Sequence, residues 1–247
     1  MMHGVKVFDT HTHIGRARHS GTTRTAEELL REMDRHGVDK SLLIPFPVVD
    51  DFKREHDEIG AAVKQWPDRF AGAACIYPFV DEREFAAEVQ RCREMYGFKA
   101  LKLQPQYQAL NPVSPRSDFF FQAARDNGLA VVAHTGSGVP FALPSLFIAP
   151  ARRFPEVKII LGHAGGSVYM LECAVASQVC PNIYVELSSL MPHHIADLMH
   201  YVPVEKLLAG SDLPASIETE LGKIFTLNIS QEAKQKILWD NAVALFG

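Results

Sequence analysis

Five side chains able to hold a metal ion stand at the ends of short apolar runs. The opening segment F-D-T-H-T-H places His11 and His13 two positions apart. L-A-V-V-A-H ends on His134, V-K-I-I-L-G-H on His163, and K-L-L-A-G-S-D on Asp212. In an extended strand, residues two apart share a face at about 7 Å spacing, so His11 and His13 can converge on one ion. A single H-x-H pair also arises by chance on exposed surfaces; a full set at run ends does not. Imidazole nitrogens and a carboxylate suit zinc, with manganese or iron as alternatives. A cation so held lowers the pKa of a bound water toward neutrality and polarises a carbonyl, which is the chemistry of hydrolysis.

These residues need a scaffold that gathers run ends. Apolar runs at 5–9, 38–44, 69–77, 98–104, 129–134, 157–163, 183–188 and 206–212 predict eight strands. Amphipathic stretches lie between them. Thr25, with Glu28 three residues on, starts a helix that Gly37 stops; others cover 57–66, 82–96 (closed by Gly97), a stretch ending at Asn127, and one opening near Gly166. The chain ends in helical pattern over 230–246, with Ser230 as its cap. Eight βα units in 247 residues predict one α/β domain over 1–247, a TIM (β/α)₈ barrel. In that fold the strand C-termini meet at one mouth, where active sites lie. A doubly wound open sheet is the competitor, but no Gly-rich phosphate loop is present.

Composition narrows the partners. Hydrophobic residues make up 47% and charged residues 22%, enough for a large core. Twenty-five cations against 29 anions leave a net charge of −4, which gives no reason to expect nucleic acid or an anionic membrane. The four cysteines show no C-x-x-C spacing, and neither a signal peptide nor an 18-residue apolar stretch occurs. A small-molecule enzyme of the reducing cytoplasm is expected, with homo-oligomerisation left open.

The motifs F-D-T-H-T-H, F-K-A-L-K-L-Q, V-V-A-H-T-G, I-L-G-H-A-G-G, L-A-G-S-D-L-P and I-L-W-D-N-A-V-A-L-F span nearly the whole chain. In content and order they resemble the amidohydrolase superfamily. The likeness is to its amidohydrolase-related (amidohydrolase 2) branch, which includes aminocarboxymuconate-semialdehyde and resorcylate decarboxylases. The resemblance implies His11, His13, His134 and Asp212 as ligands of one divalent ion, with zinc preferred and Mn²⁺ or Fe²⁺ as alternatives. It implies His163 as a catalytic histidine, which in two-metal relatives is instead a ligand.

Lys102 shares a strand face with Phe98, Ala100 and Gln104, while Leu101 and Leu103 share the other. Leucines suit the helix-facing side, which turns Lys102 into the barrel. Two-metal relatives bridge their ions with a carboxylated lysine from the fourth strand. Here Gln104 holds the strand end, so Lys102 is expected to contact substrate or the Asp212 region. Asp9 is a supporting or strand-end residue. Glu186 and Ser188 share a face and either line the mouth or, for Glu186, reach a helix terminus. Arg16, Arg18, His19 and Arg24 form a basic group that is either a solvated loop or an anchor for a substrate carboxylate. His3, His36, His56, His193, His194 and His200 are expected at the surface.

Asp212 is expected to take a proton from the attacking water and pass it to the leaving group. His163 stabilises the oxyanion or acts as acid/base. The expected reaction is hydrolysis of an amide, ester or lactone-like bond. Non-oxidative decarboxylation of an unsaturated or aromatic carboxylic acid uses the same ligands and is the alternative. A nuclease would need a basic stripe, and a non-catalytic binding barrel would not need the complete ligand set.

Overall fold

The first strand runs well past its apolar start. In the computed structural model, which describes residues 1–18, 20–47, 51–77 and 79–247, β1 spans Phe8–Arg16 and carries the whole T-H-T-H segment. A two-residue strand, β2 (Thr23–Arg24), folds back on it antiparallel, pairing Gly15 with Arg24. The first helix, α1 (Ala26–His36), begins with the expected reciprocal cap. The Glu28 amide donates to Thr25 Oγ1 at 3.2 Å, and the Thr25 amide to Glu28 Oε2 at 2.9 Å. Gly37 then stops the helix at φ 73°, a left-handed conformation natural to glycine.

The chain continues through β3 (Lys40–Pro45), α2 (Phe52–Gln65), β4 (Phe70–Ala74), α3 (Glu82–Tyr96), β5 (Ala100–Leu103) and α4 (Asp118–Asp126). It proceeds by β6 (Ala130–His134), α5 (Ile148–Arg153), β7 (Ile159–Gly162), α6 (Met170–Val179), β8 (Ile183–Glu186) and α7 (Pro192–Leu198). Last come β9 (Leu207–Leu208), α8 (Ile217–Thr226), α9 (Gln231–Gln235) and α10 (Asn241–Phe246). The helices α5, α7 and α8 are additions to the sequence expectation, and α2 starts five residues earlier than expected. The expected C-terminal helix is interrupted by a π-turn over Lys236–Asp240, where the Ile237 carbonyl accepts from the Ala209 amide at 3.1 Å.

Strand order is β2-β1-β3-β4-β5-β6-β7-β8-β9, and every pairing except β1–β2 is parallel. The sheet closes on itself. The Thr10 amide donates to Ala209 O at 3.0 Å, and His13 N to Asp212 O at 3.1 Å. A parallel bridge joins Thr12 to Asp212. The eight parallel strands therefore form a (β/α)₈ barrel, and the open-sheet competitor fails at this seam.

Two apolar layers hold the barrel. Its interior is filled by residues such as Phe8, Leu42, Ala73, Ala100, Val132, Ile160 and Leu208. Ala242 and Phe246 of α10 join that cluster and plug the end opposite the mouth. Between strands and helices lies the larger cluster, which takes Leu101 and Leu103. Their alternation with Ala100 and Lys102 turns Lys102 inward, as expected, and leaves it 1% exposed. Among the described residues, no helix is long and apolar enough to cross a membrane.

Candidate active site

The closing seam sets the site. Because Asp212 bonds through its backbone to His11 and His13, its side chain is delivered beside their rings. Asp212 Oδ1 lies 3.8 Å from His11 Nε2, 3.7 Å from His13 Nε2 and 4.0 Å from His163 Nε2. These separations are too long for hydrogen bonds. They approach the spacing of ligands around one ion, since donors about 2.1 Å from a tetrahedral metal stand roughly 3.4 Å apart. Asp212 and His163 are held with φ of 63° and 64°, a left-handed backbone that non-glycine residues adopt at a cost.

Each imidazole has one nitrogen committed elsewhere. His11 Nδ1–H donates to Glu186 Oε2 at 2.9 Å, and His13 Nδ1–H to the Pro45 carbonyl at 3.2 Å. His163 Nδ1–H donates to Ser188 Oγ at 2.7 Å, and that hydroxyl donates on to Glu186 Oε2 at 2.8 Å. These bonds place the proton on Nδ1 and leave three Nε2 lone pairs near Asp212 Oδ1, the arrangement that prepares histidine for a metal, with that of His11 accepting from Lys102 meanwhile. His134 is tied the other way. Its Nε2–H donates to Ser137 O at 2.6 Å, which leaves Nδ1 as its lone-pair nitrogen. His134 stays in the same neighbourhood, its ring centroid 4.8 Å from that of His163. Yet it lies outside the two tight donor groups found here, His11–His13–Asp212 and His11–His163–Glu186.

Burial controls the charges. It holds His11, His13 and His163 well below the usual imidazole range, with Lys102 adding to the effect on the first two and His11 to that on His163. His134 falls to about 4 through burial and then through Lys102. Four neutral imidazoles are the form a cation requires. Burial likewise lowers Lys102 to about 8, and its Nζ donates to His11 Nε2 at 2.6 Å. Asp212 is raised by burial to about 6, against the pull of Lys102. Asp9, fully buried and raised by burial to about 7, accepts from the amides of His11 and Ser211 at 3.2 and 2.9 Å. It therefore braces β1 against the segment after β9 that carries Asp212. Gly210 is required there, because a Cβ would sit 2.7 Å from Glu186 Oε1 and 2.8 Å from His11 Cβ.

Glu186 is the residue whose part the sequence left open. It is fully buried and accepts from His11, from the amides of His163 and Ser188 at 3.0 and 2.6 Å, and from the Ser188 hydroxyl. Its position two residues before Ser188 at a strand end was the available signal. One expectation is corrected: His56 is buried, not at the surface. It bridges α2 to α3, its Nδ1–H donating to Glu88 Oε1 at 2.7 Å while its Nε2 accepts from the Cys75 amide at 2.9 Å. Of the basic group, Arg24 lines the cavity over the site, Arg16 is exposed beside another cavity, and His19 lies outside the described residues.

A family model described as amidohydrolase matches residues 8–247. No curated protein sequence matches the chain. Among solved structures, 5-carboxyvanillate decarboxylase from Sphingomonas paucimobilis superposes with a TM-score of 0.80 at 19% identity, covering 98% of this chain and 99% of the other. A dihydroxybenzoic acid decarboxylase from a Polaromonas species, with bound manganese and 2-nitroresorcinol, gives 0.81 at 17% identity over 98% and 97%. The 4-oxalomesaconate hydratase of Rhodopseudomonas palustris gives 0.73 at 18% identity over 97% and 95%. At these identities the likeness establishes the barrel fold.

Proposed function

The chain belongs to the amidohydrolase family, and on that premise we propose that it is a metal-dependent hydrolase of a small molecule. The observation that carries this reading is the position of Asp212. Its side chain is 35% exposed to the cavity, whereas the imidazoles of His11 and His13 beside it are 0% and 8% exposed. The carboxylate can thus meet water while His11 beside it stays buried. His11, His13, His134 and Asp212 would hold one divalent ion, zinc by donor chemistry, with manganese or iron accommodated by the same set. Such an ion, when bound, supplies Lewis-acid polarisation and a more acidic water.

The protein's own groups do the remaining work. Asp212 accepts a proton from water and returns it to the leaving atom. His163, neutral and fixed through Ser188 and Glu186, presents Nε2 to the reacting centre. Lys102 places a positive charge beside His11, where negative charge develops on a substrate oxygen. The four cysteines are free and buried, which supports a reducing cytoplasm.

Decarboxylation of an unsaturated or aromatic acid is the second reading. It is favoured by the aromatic and apolar cavity wall of Phe46, Tyr107 and Leu213 and by the decarboxylases among its structural neighbours. Reaction in ¹⁸O-water separates the two. Hydrolysis puts label into the new carboxylate and releases no CO₂; CO₂ with solvent hydrogen on carbon would establish the second reading instead.

A further inference from the structure

One buried charge pair outside the donor set reaches the site through the backbone. Lys223 of α8 is 8% exposed, and its Nζ donates to the carbonyls of Leu187 and Leu190 at 2.9 and 2.7 Å. It also donates to Glu220 Oε2 at 2.5 Å, and that oxygen accepts from the Ser189 amide at 2.8 Å. The pair thus holds three backbone groups of residues 187–190, the turn that follows β8. Taking an ammonium out of water is costly, and here a carboxylate and two carbonyls offset it. Inside the turn Ser189 sits at φ 63°, a left-handed conformation that serine keeps only where its surroundings impose it. Ser188, the residue before it, accepts from His163 Nδ1–H at 2.7 Å. The helix that carries the pair starts at Ile217, five residues after Asp212. One helix therefore ties the Asp212 segment to the turn that orients His163.

We propose that Lys223, with Glu220, is a positioning residue: it fixes the turn so that the Ser188 hydroxyl meets His163 Nδ1 and keeps His163 Nε2 beside Asp212. The proposal rests on reading His163 as a working group of the active site. Ser188 is also tied to Glu186 on its own strand, through its amide and its hydroxyl. That inner tie and the outer one act on different things. Glu186 holds Ser188 toward the barrel, whereas Lys223 and Glu220 set the Ser189 conformation in which the chain leaves the strand. Without the ammonium, the Leu187 and Leu190 carbonyls lose the charge on which they converge, and Ser189 is free to relax to negative φ. That relaxation turns the peptide joining Ser188 to Ser189 and draws the hydroxyl away from His163. Lys206 is the contrast within the molecule. Its Nζ also donates to two carbonyls, of Ser177 and Cys180 at 2.7 and 3.2 Å, but at the C-terminal end of α6.

Nitrogen–proton NMR of the histidine rings in the full-length, metal-free protein tests this, with the His163 signals assigned through H163N. The wild type is expected to show His163 as the Nδ1–H tautomer, its ring proton protected from solvent. K223M keeps an apolar stem of similar length but removes the donors. It is expected to give a mixture of tautomers, with the His163 ring proton exchanging roughly tenfold faster. E220Q leaves an oxygen for the Ser189 amide and is expected to fall between the two, and it decides the matter should K223M fail to fold. K206M, which removes the same kind of contact at α6, should leave the His163 signals unchanged. Wild-type His163 signals in K223M, or in E220Q where K223M does not fold, would overturn the proposal, as would the same change in K206M. The reaction itself is decided separately by the ¹⁸O experiment, because the His163 signals are read without metal or substrate.

Discussion

Replacing Glu186 by glutamine or alanine isolates the group that orients the candidate metal site without touching a proposed ligand. The carboxylate accepts four hydrogen bonds with both oxygens, from His11 Nδ1, His163 N, Ser188 N and Ser188 Oγ. A glutamine offers one oxygen, and its amide nitrogen must face at least one of those donors. A buried donor left unpaired costs about 1–3 kcal/mol. The effect on His11 is more specific. Glutamine can keep its oxygen at the Oε2 position, where three of the donors meet, but alanine at this position takes away the acceptor of His11 Nδ1–H altogether and frees the proton to move to Nε2, which removes the lone pair that now accepts from Lys102. Loss of such a supporting bond typically weakens metal affinity 10- to 100-fold, or about 1.4–2.8 kcal/mol. Competition titration of zinc against a chelating dye measures that term, and thermal melting of the metal-free protein measures the stability term separately. E186A with zinc affinity within twofold of wild type, on a correctly folded barrel, would show that Glu186 does not set the His11 tautomer.

Two further outcomes test other parts of the molecule. Burial pushes Glu88 up, but hydrogen bonds from His56 and Arg91 outweigh it and bring its carboxyl to about 2. The folded group stays ionised while the unfolded one protonates near 4.5, so its stabilisation is present above pH 4.5 and fades as pH falls toward 2. Denaturant titrations at pH 6 and pH 3 should show E88Q losing less stability than wild type on acidification, by at most about 2 kcal/mol; parallel pH profiles would contradict the network. At the other end of the barrel, F246A removes a 1% exposed ring packed 6.0 Å from Phe8. It should cost about 3–5 kcal/mol in urea unfolding, and a loss below about 1 kcal/mol would show that α10 is not a plug.

The barrel strands were legible because both of their faces are buried, so their runs are almost continuously apolar. β1 was the exception at its far end. T-H-T-H is polar because it lines the mouth, and polarity resembles a strand's end when no fold is in view. The short α7, the Pro150-bearing α5 and α8 escaped notice because their helical pattern is brief or broken. The inward turn of Lys102 followed from alternation alone, since Leu101 and Leu103 had to meet the helices. His56 was misjudged because R-E-H-D-E reads as a solvated charge run, while its partner Glu88 lies 32 residues away. Glu186 stayed ambiguous for the same kind of reason. Its four donors come from β1, from the turn after β7 and from its own strand end, and only the closed barrel brings them together.

The account stands on the strand-end histidines and Asp212 holding one divalent ion. Elemental analysis of purified wild type beside the His11→Ala/His13→Ala double variant tests this most directly, with circular dichroism confirming that both are folded. The account predicts about one equivalent of zinc, manganese or iron in the wild type and less than about a tenth in the variant, because two of the proposed ligands are gone. A folded double variant that keeps its full metal content would contradict it.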